Sequence, residues 1–335
     1  MMKKRYFLGN DIAKETFDFC LLNSAKVCLW RGQFPNSDAG FKALLEGLKA
    51  RGFKLKQIHF ALEATGVYGR ALMATLHAAG LAVSELNPAQ VKFFGISYNK
   101  RTKNDSLDAE LIALYCLERR PMATRPLRPV EQQLKMLVHE REARVNEQTR
   151  ERNRGQTDQA QPGSLPPILL RQRQQRLAQL QTQIAQLDSA INALLDSDPK
   201  LVHQASLLTT IPGIARCTAA KVLAQLAGKE FSSARQLAAY AGLTPAECRS
   251  GTTFYGKTRL CKIGNSFLRK ALYMPAAVAR RWCKPLAKWA DLLQARHLRP
   301  LAIRGALMRK LLHLIFGILK HQQPFNPNLL PCPKQ

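Results

Sequence analysis

The sequence predicts an α/β domain over roughly the first third of the chain and an all-α remainder. Three observations carry that expectation. Short aromatic and β-branched runs alternate with amphipathic stretches as far as about residue 120. Past that point the alternation gives way to leucine and isoleucine in a 3-4-3-4-3 spacing. The chain then closes on a long, strongly basic segment of helical pattern. A period near two marks strands, and periods of 3.5 to 3.6 mark helices.

Taken in order, residues 6–10 (YFLGN), 16–22 (TFDFCLL) and 27–34 (VCLWRGQF) read as three consecutive antiparallel strands separated by polar turns. A helix is expected from Ser37 or Asp38 to Ala50. A buried strand at 58–62 leads into Glu63, a helix from about Tyr68 to Ala79 stops at Gly80, and 81–86 is a further strand. Three strands, helix, strand, helix, strand is the order of a ribonuclease-H-like domain. Asn104 or Asp105 caps a helix over 106–119, closed by Pro121.

Residues 131–154 are highly charged and helical in propensity, and 155–167 (GQTDQAQPGSLPP) read as a breaker-rich loop. Leu177, Leu180, Ile184, Leu187, Ile191 and Leu194 then form a coiled-coil seam, so two helices around a loop suggest a protruding hairpin. Two readings of the seam stay open: pairing with the preceding helix, or dimerisation. Residues 200–320 read as a compact helical domain, and the last residues as a loose Pro-rich tail. The expected organisation is 1–125, 126–200, 201–322 and 323–335.

Composition narrows the function. Lys and Arg number 51 against 23 Asp and Glu, a net charge of +28 that self-repels without a polyanion. From Cys248 onward 17 basic residues face one acid, Asp291. Nucleic acid is the obvious partner, although a ribosomal or membrane-surface protein is also this basic. No apolar run approaches the ~20 residues needed to span a bilayer. The N-terminus lacks a signal-like apolar stretch, and the eight cysteines show no metal-ligand spacing. A reduced protein of the cytoplasm or nucleoid, with no membrane contact, is expected.

Four carboxylates stand out. Asp11 ends the first strand, Glu63 ends another, and Asp105 and Asp108 are spaced i, i+3 on one helical face. Like charges so arranged repel unless a cation lies between them. Two Mg2+ ions would offset the repulsion and support phosphodiester chemistry. Structural roles, with Asp105 as a cap and Asp108 as an exposed first-turn acid, remain the alternative at this point.

The segments FLGNDIAKETFDF, ALEATGVYG with NPAQVKFF downstream, and RTKNDSLDAELIA resemble the three blocks of the DEDD transposases of the insertion sequence 110 family, including its insertion sequence 1111 group. That family's N-terminal domain is related to the Holliday-junction resolvase RuvC. The resemblance implies that Asp11, Glu63, Asp105 and Asp108 are a metal-binding tetrad for Mg2+, with Mn2+ as a substitute. Residues 207–226 (LLTTIPGIARCTAAKVLAQL) resemble a helix-hairpin-helix whose turn, at Gly213, exposes backbone N–H groups to phosphate, with the second helix capped near Thr218. Ala238 to Ala276 is similar to the family's C-terminal transposase domain, and the likeness makes Ser250, before Gly251, a nucleophile that forms a phosphoserine link. Where relatives often read Ile-Ser-Lys, this chain has Leu260, Cys261 and Lys262.

Lys257, Arg259, Lys262, Arg269 and Lys270, interleaved with Phe254 and Tyr255, suit phosphate contact and stacking, and Lys103 joins them as a nucleic-acid candidate. Arg280, Arg281 and Lys284 extend that surface. The resemblance further implies a DNA recombinase acting on element ends and target, an element-encoded non-coding guide RNA, and a homo-oligomer, dimer or tetramer. A junction-resolving nuclease that uses water, and a catalytically silent nucleic-acid binder, are the competing expectations.

Overall fold

A computed structural model describes residues 5–64, 66, 68–98, 105–159, 166–250 and 254–329; the side chains of residues 105–106, 159, 247–250, 254–258 and 329 are outside that description. The chain divides into two compact units: Met1–Pro126 with Gly228–Glu230, and Leu127–Ala227 with Phe231–Gln335.

The first unit is built on a five-stranded sheet. Strands β1 (Tyr6–Ile12), β2 (Thr16–Asn23) and β3 (Cys28–Pro35) form the expected antiparallel meander. Strands β4 (Ile58–Glu63) and β5 (Ala82–Leu86) add in parallel on the other side of β1, giving the order β3-β2-β1-β4-β5. This mixed sheet is compatible with a ribonuclease-H-like domain.

Alternation along the strands sorts the side chains onto two faces. Leu8, Phe17, Phe19, Phe60 and Leu62 share an apolar cluster with helices α1 (Asp38–Ala50) and α2 (Arg70–Ala78). Phe7, Cys20, Leu22 and Ala61 face α3 (Pro88–Ser97) and α4 (Asp105–Arg119). The Ser37 side chain caps α1, accepting from the Gly40 amide at 3.3 Å. Helix α3 was not among the expected elements, although Asn87 caps it and Pro88 opens it.

In the second unit two 31-residue helices, α5 (Pro129–Gln159) and α6 (Pro167–Ser197), pack along one another. Leu134 and Val138 of α5 share a cluster with Ile191, Leu194 and Leu195 of α6. Paired charges continue the contact outward: Arg141 with Asp188 at 2.6 Å, and Arg176 with Glu151 at 3.1 Å. The seam therefore meets a helix of its own chain. The loop expected from residue 155 is helical over its first five residues, because α5 runs through Gly155 to Gln159; Arg173 of α6, paired with Glu151 and Asp158, ties down that last turn.

Helices α7 (Pro199–Thr209), α8 (Arg216–Leu226), α9 (Ala234–Tyr240), α10 (Ser266–Trp282), α11 (Lys284–Ala295) and α12 (Pro300–His321) pack around Leu208, Ile211, Leu272, Ala276, Leu311 and Ile315. Two expectations need correction. The helical domain contains an antiparallel hairpin, β6 (Pro245–Ser250) with β7 (Phe254–Leu260). The cap of α8 is at Ala215, not near Thr218, and involves no side-chain bond. The start of the tail is also tied down: Phe325 packs against the core, and its amide donates to Thr210 Oγ1 at 2.8 Å.

Candidate active site

The sheet register determines which acids meet. Asn10 on β1 pairs with Leu62 on β4 in parallel, so Asp11 and Glu63, each one residue further on, end adjacent strands at the same level. Both lie on the α4 face, because they alternate with Asn10 and Leu62. Helix α4 reaches that face because residue 9 has no side chain. A Cβ on Gly9 would stand 2.2 Å from the Ala109 carbonyl oxygen and 2.4 Å from the Ala113 nitrogen. Helix and strand backbones thus touch, and Asp108, next to Ala109, is brought to the strand ends.

The charges sense one another. Burial, then the Asp11 carboxylate, then that of Asp108, push the Glu63 carboxyl up to about 7. Asp105 opens α4 one turn before Asp108, but its side chain lies outside the described residues, as does Lys103 entirely. Among the described residues, no three of His, Cys, Asp and Glu form a ready-made metal cage. What the site offers is a set of hard oxygen donors whose mutual repulsion a divalent cation would relieve, and on that ground the residues present fit Mg2+ or Mn2+.

Two neighbours were not expected from the sequence. Asp18 pairs directly across from Asp11 on β2, on the same face, and accepts from Gln33 Nε2 at 3.0 Å. Asn36 donates from Nδ2 to the Ala13 carbonyl at 2.9 Å and to the Tyr68 carbonyl at 3.2 Å, holding together the loops that follow β1 and β4. Asp18 was visible as an acid in a predicted strand; its significance depended on register. Nothing local marked Asn36.

In the second unit, Ser250 is the last residue of β6 and pairs with Phe254 of β7. Its side chain, that of Lys257, and all of Gly251 lie outside the described residues. The base of this hairpin is heavily anchored. Cys261 N donates to Thr244 O at 2.9 Å, Lys262 N to Gly242 O at 3.0 Å, and Asn265 N to Tyr240 O at 2.7 Å. Gly264, at φ 141°, fits only without a Cβ, which would stand 2.4 Å from the Tyr240 carbonyl.

Three candidate nucleic-acid residues have structural partners. Arg269 donates to the carbonyls of Ala241 and Gly264 at 2.9 and 3.3 Å, beneath the hairpin, and burial lowers its pKa. Lys270 contacts Glu142 at 2.5 Å and Asn146 at 2.6 Å. Gly213, at φ 94°, lies against α10, where a Cβ would be 2.5 Å from the Pro275 carbonyl. Arg259 and Lys262 are exposed.

Residues 8–157, which span Asp11, Glu63, Asp105 and Asp108, match a family described as transposase. Residues 205–290, which include Ser250, match the Transposase IS116/IS110/IS902 family. The chain is 31% identical to the pilin gene-inverting protein of Moraxella bovis over 332 residues, covering 98% of this chain and 99% of that protein. The Moraxella lacunata protein of the same name is equally similar, at 31% with the same coverage. An insertion element IS110 uncharacterized 43.6 kDa protein of Streptomyces coelicolor is 30% identical over 135 residues, 40% of this chain and 32% of that one. Similarity along almost the whole length, together with matches in both units, establishes that this chain belongs to the IS110 family of transposases.

Proposed function

We propose that this transposase cuts and rejoins DNA with two sets of groups: the carboxylates Asp11, Glu63, Asp105 and Asp108, and the hydroxyl of Ser250. The observation that carries the proposal is the convergence of Asp11, Glu63 and Asp108 at one end of the sheet, expressed in the raised pKa of Glu63. Together with Asp105, these side chains would hold Mg2+ or Mn2+. When bound, the metal would supply positive charge to stabilise a phosphodiester undergoing substitution. Asp11 and Glu63 are held by strand register and Asp108 by the contact of α4 with Gly9, so the donors need little reorganisation to bind.

Ser250 Oγ attacks phosphorus, its proton passing to a basic oxygen. A phosphoserine bond forms as one P–O bond of the strand breaks, and the severed strand leaves as a free hydroxyl. Attack by an incoming strand hydroxyl reverses the sequence, releases Ser250 and conserves the phosphodiester. This requires Ser250 to be delivered to an acidic cluster, that of its own chain or of a second copy. Inversion, named in the Moraxella relatives, and insertion both need such rejoining without loss of DNA. Selection of sites by a non-coding RNA encoded with the element, and a dimer or tetramer as the working form, complete the proposal; the charge of +28 suits more than one nucleic-acid strand.

The test is recombination of element-end and target DNA by purified protein prepared with and without RNA transcribed from the element's flanks. Asp11→Ala should abolish cutting and joining. Ser250→Ala should abolish both and leave no protein-linked DNA. Retained cutting in Ser250→Ala would mean a water-using nuclease, and Asp11→Ala activity equal to wild type would leave only a nucleic-acid binder.

A further inference from the structure

Two thiols meet on the α4 face of the sheet, and a bulge puts them there. Cys20 of β2 pairs in register with Arg31 of β3 and Leu21 with Trp30, but Leu22 pairs with Cys28, so Leu29 is an extra residue on β3. Without it Cys28 would stand opposite Asn23 and point to the other face, because a slip of one residue reverses every side chain. With it, Cys28 joins Cys20, Leu22 and Arg31 on one face. The Cys20 and Cys28 Sγ atoms are 3.5 Å apart, and both side chains pack in the apolar cluster shared with α4.

The two sulfurs are unequal. Cys28 lies on an edge strand and is partly exposed, whereas Cys20 is 1% exposed. Burial, then the hydrogen bond with Cys28, pushes the Cys20 pKa up, so this thiol keeps its proton. An oxidant from solvent therefore meets Cys28 first. Arg31 stands beside it: a hydrogen bond to Cys28 raises the pKa of the guanidinium, which also reaches Glu110 of α4 at 3.6 Å. A fixed cation at this point balances the negative charge that a reacting thiolate carries. Cys116 shares the cluster, but it is fully buried and burial pushes its thiol up to about 12.

We propose that Cys20 and Cys28 are a reversible oxidation site, closing to a disulfide when a hydroperoxide reacts at Cys28. The Cys28 thiolate attacks one peroxide oxygen and the O–O bond breaks. A sulfenic acid forms on Cys28, and the departing oxygen takes up a proton as water or an alcohol. The Cys20 sulfur then attacks the sulfenic sulfur; the S–O bond breaks, and hydroxide leaves with the Cys20 proton as water. Two electrons pass from the sulfurs to the peroxide, and a dithiol returns them in the reverse direction. The site is separate from the recombination chemistry proposed above and does not depend on it.

The test exposes reduced full-length protein to graded hydrogen peroxide, blocks the remaining thiols with N-ethylmaleimide and maps tryptic peptides without reduction. Lys26 lies between the two cysteines, so trypsin separates residues 15–26 from 27–31, and a disulfide keeps the two peptides joined. Wild type should yield that joined pair with the loss of two hydrogens, and dithiothreitol should restore both thiols. Cys20→Ser should stop at a sulfenic acid on Cys28 that dimedone traps. Arg31→Ala should slow closure by about tenfold, and Cys116→Ala should close at the wild-type rate. Absence of the joined pair from wild type, at peroxide that has already oxidised the exposed Cys261, overturns the site. A peptide map in which Cys20 is joined to Cys116 instead overturns it as well. None of these readouts uses DNA or metal, so they stand apart from the outcome of the recombination assay.

Discussion

The two regions proposed to carry the chemistry are constructed differently. The acidic cluster lies on a five-stranded sheet with helices on both faces, and its acids stand at strand ends whose level is set by backbone hydrogen bonds. Ser250 ends one strand of a two-stranded hairpin whose support comes at its base, from backbone bonds and the Arg269 clamp. Isolated two-stranded hairpins are marginal, so that base must stabilise the whole element. Acids that repel one another need a rigid frame, because the frame must offset their repulsion; the proposed delivery of Ser250 to a phosphate needs a firmly rooted hairpin.

Substitutions can break this contrast, beginning with the largest effect. Gly9→Val drives a side chain into the Ala109 carbonyl and should destabilise the sheet unit by about 3 kcal/mol in urea unfolding, with loss of Mn2+ binding by calorimetry. Native-like stability would mean that α4 does not depend on that contact. Arg269→Ala strands two carbonyls beneath the hairpin and should cost about 2 kcal/mol. Strand exchange should fall with it, yet Mn2+ binding should persist; parallel loss of both would dissolve the distinction between the regions. Asn36→Ala removes two loop contacts at the sheet end, for about 1 kcal/mol, and should weaken Mn2+ binding without altering hairpin-dependent DNA contacts.

The subtlest effect concerns pH. Glu63 has a folded-state pKa raised from 4.5 to about 7, so its protonated form is the one the fold favours. Stability that is present below pH 4.5 is lost as pH rises through 7. Glu63→Gln should therefore match wild type near pH 4 and, in metal-free buffer, exceed it at pH 8 by about 1 kcal/mol, after allowance for solvent screening of this half-exposed group. Added Mg2+ should shrink the difference at pH 8 by stabilising the wild-type carboxylate. A gap that widens toward low pH would contradict the sign.

Much of the sheet unit was legible because its signals are local. Alternation located β1 to β5, Ser37 capped α1 as expected, and Gly80 stopped α2. Helix α3 escaped despite its Asn87 cap, since residues such as Phe93 and Ile96 leave apolar side chains in solvent and blur the helical stripe. The hairpin β6–β7 escaped because no two-residue turn signal such as Asn-Gly stands between its strands in the sequence and helical segments surround it. Helix α5 outran its expected end because charge pairs with α6 override the helix-weakening Gly155.

By itself the chain of residues determined the strands, most helices, the basic surplus and the identity of the acids, all of which depend on composition or on neighbours a few positions apart. Tertiary structure decided that Asp11 stands level with Glu63, that Asp18 joins their face, that Gly9 admits α4, and that Arg269 is occupied with two carbonyls. Register and close backbone approach bring together residues far apart in sequence, and only the folded chain brings those distances into being.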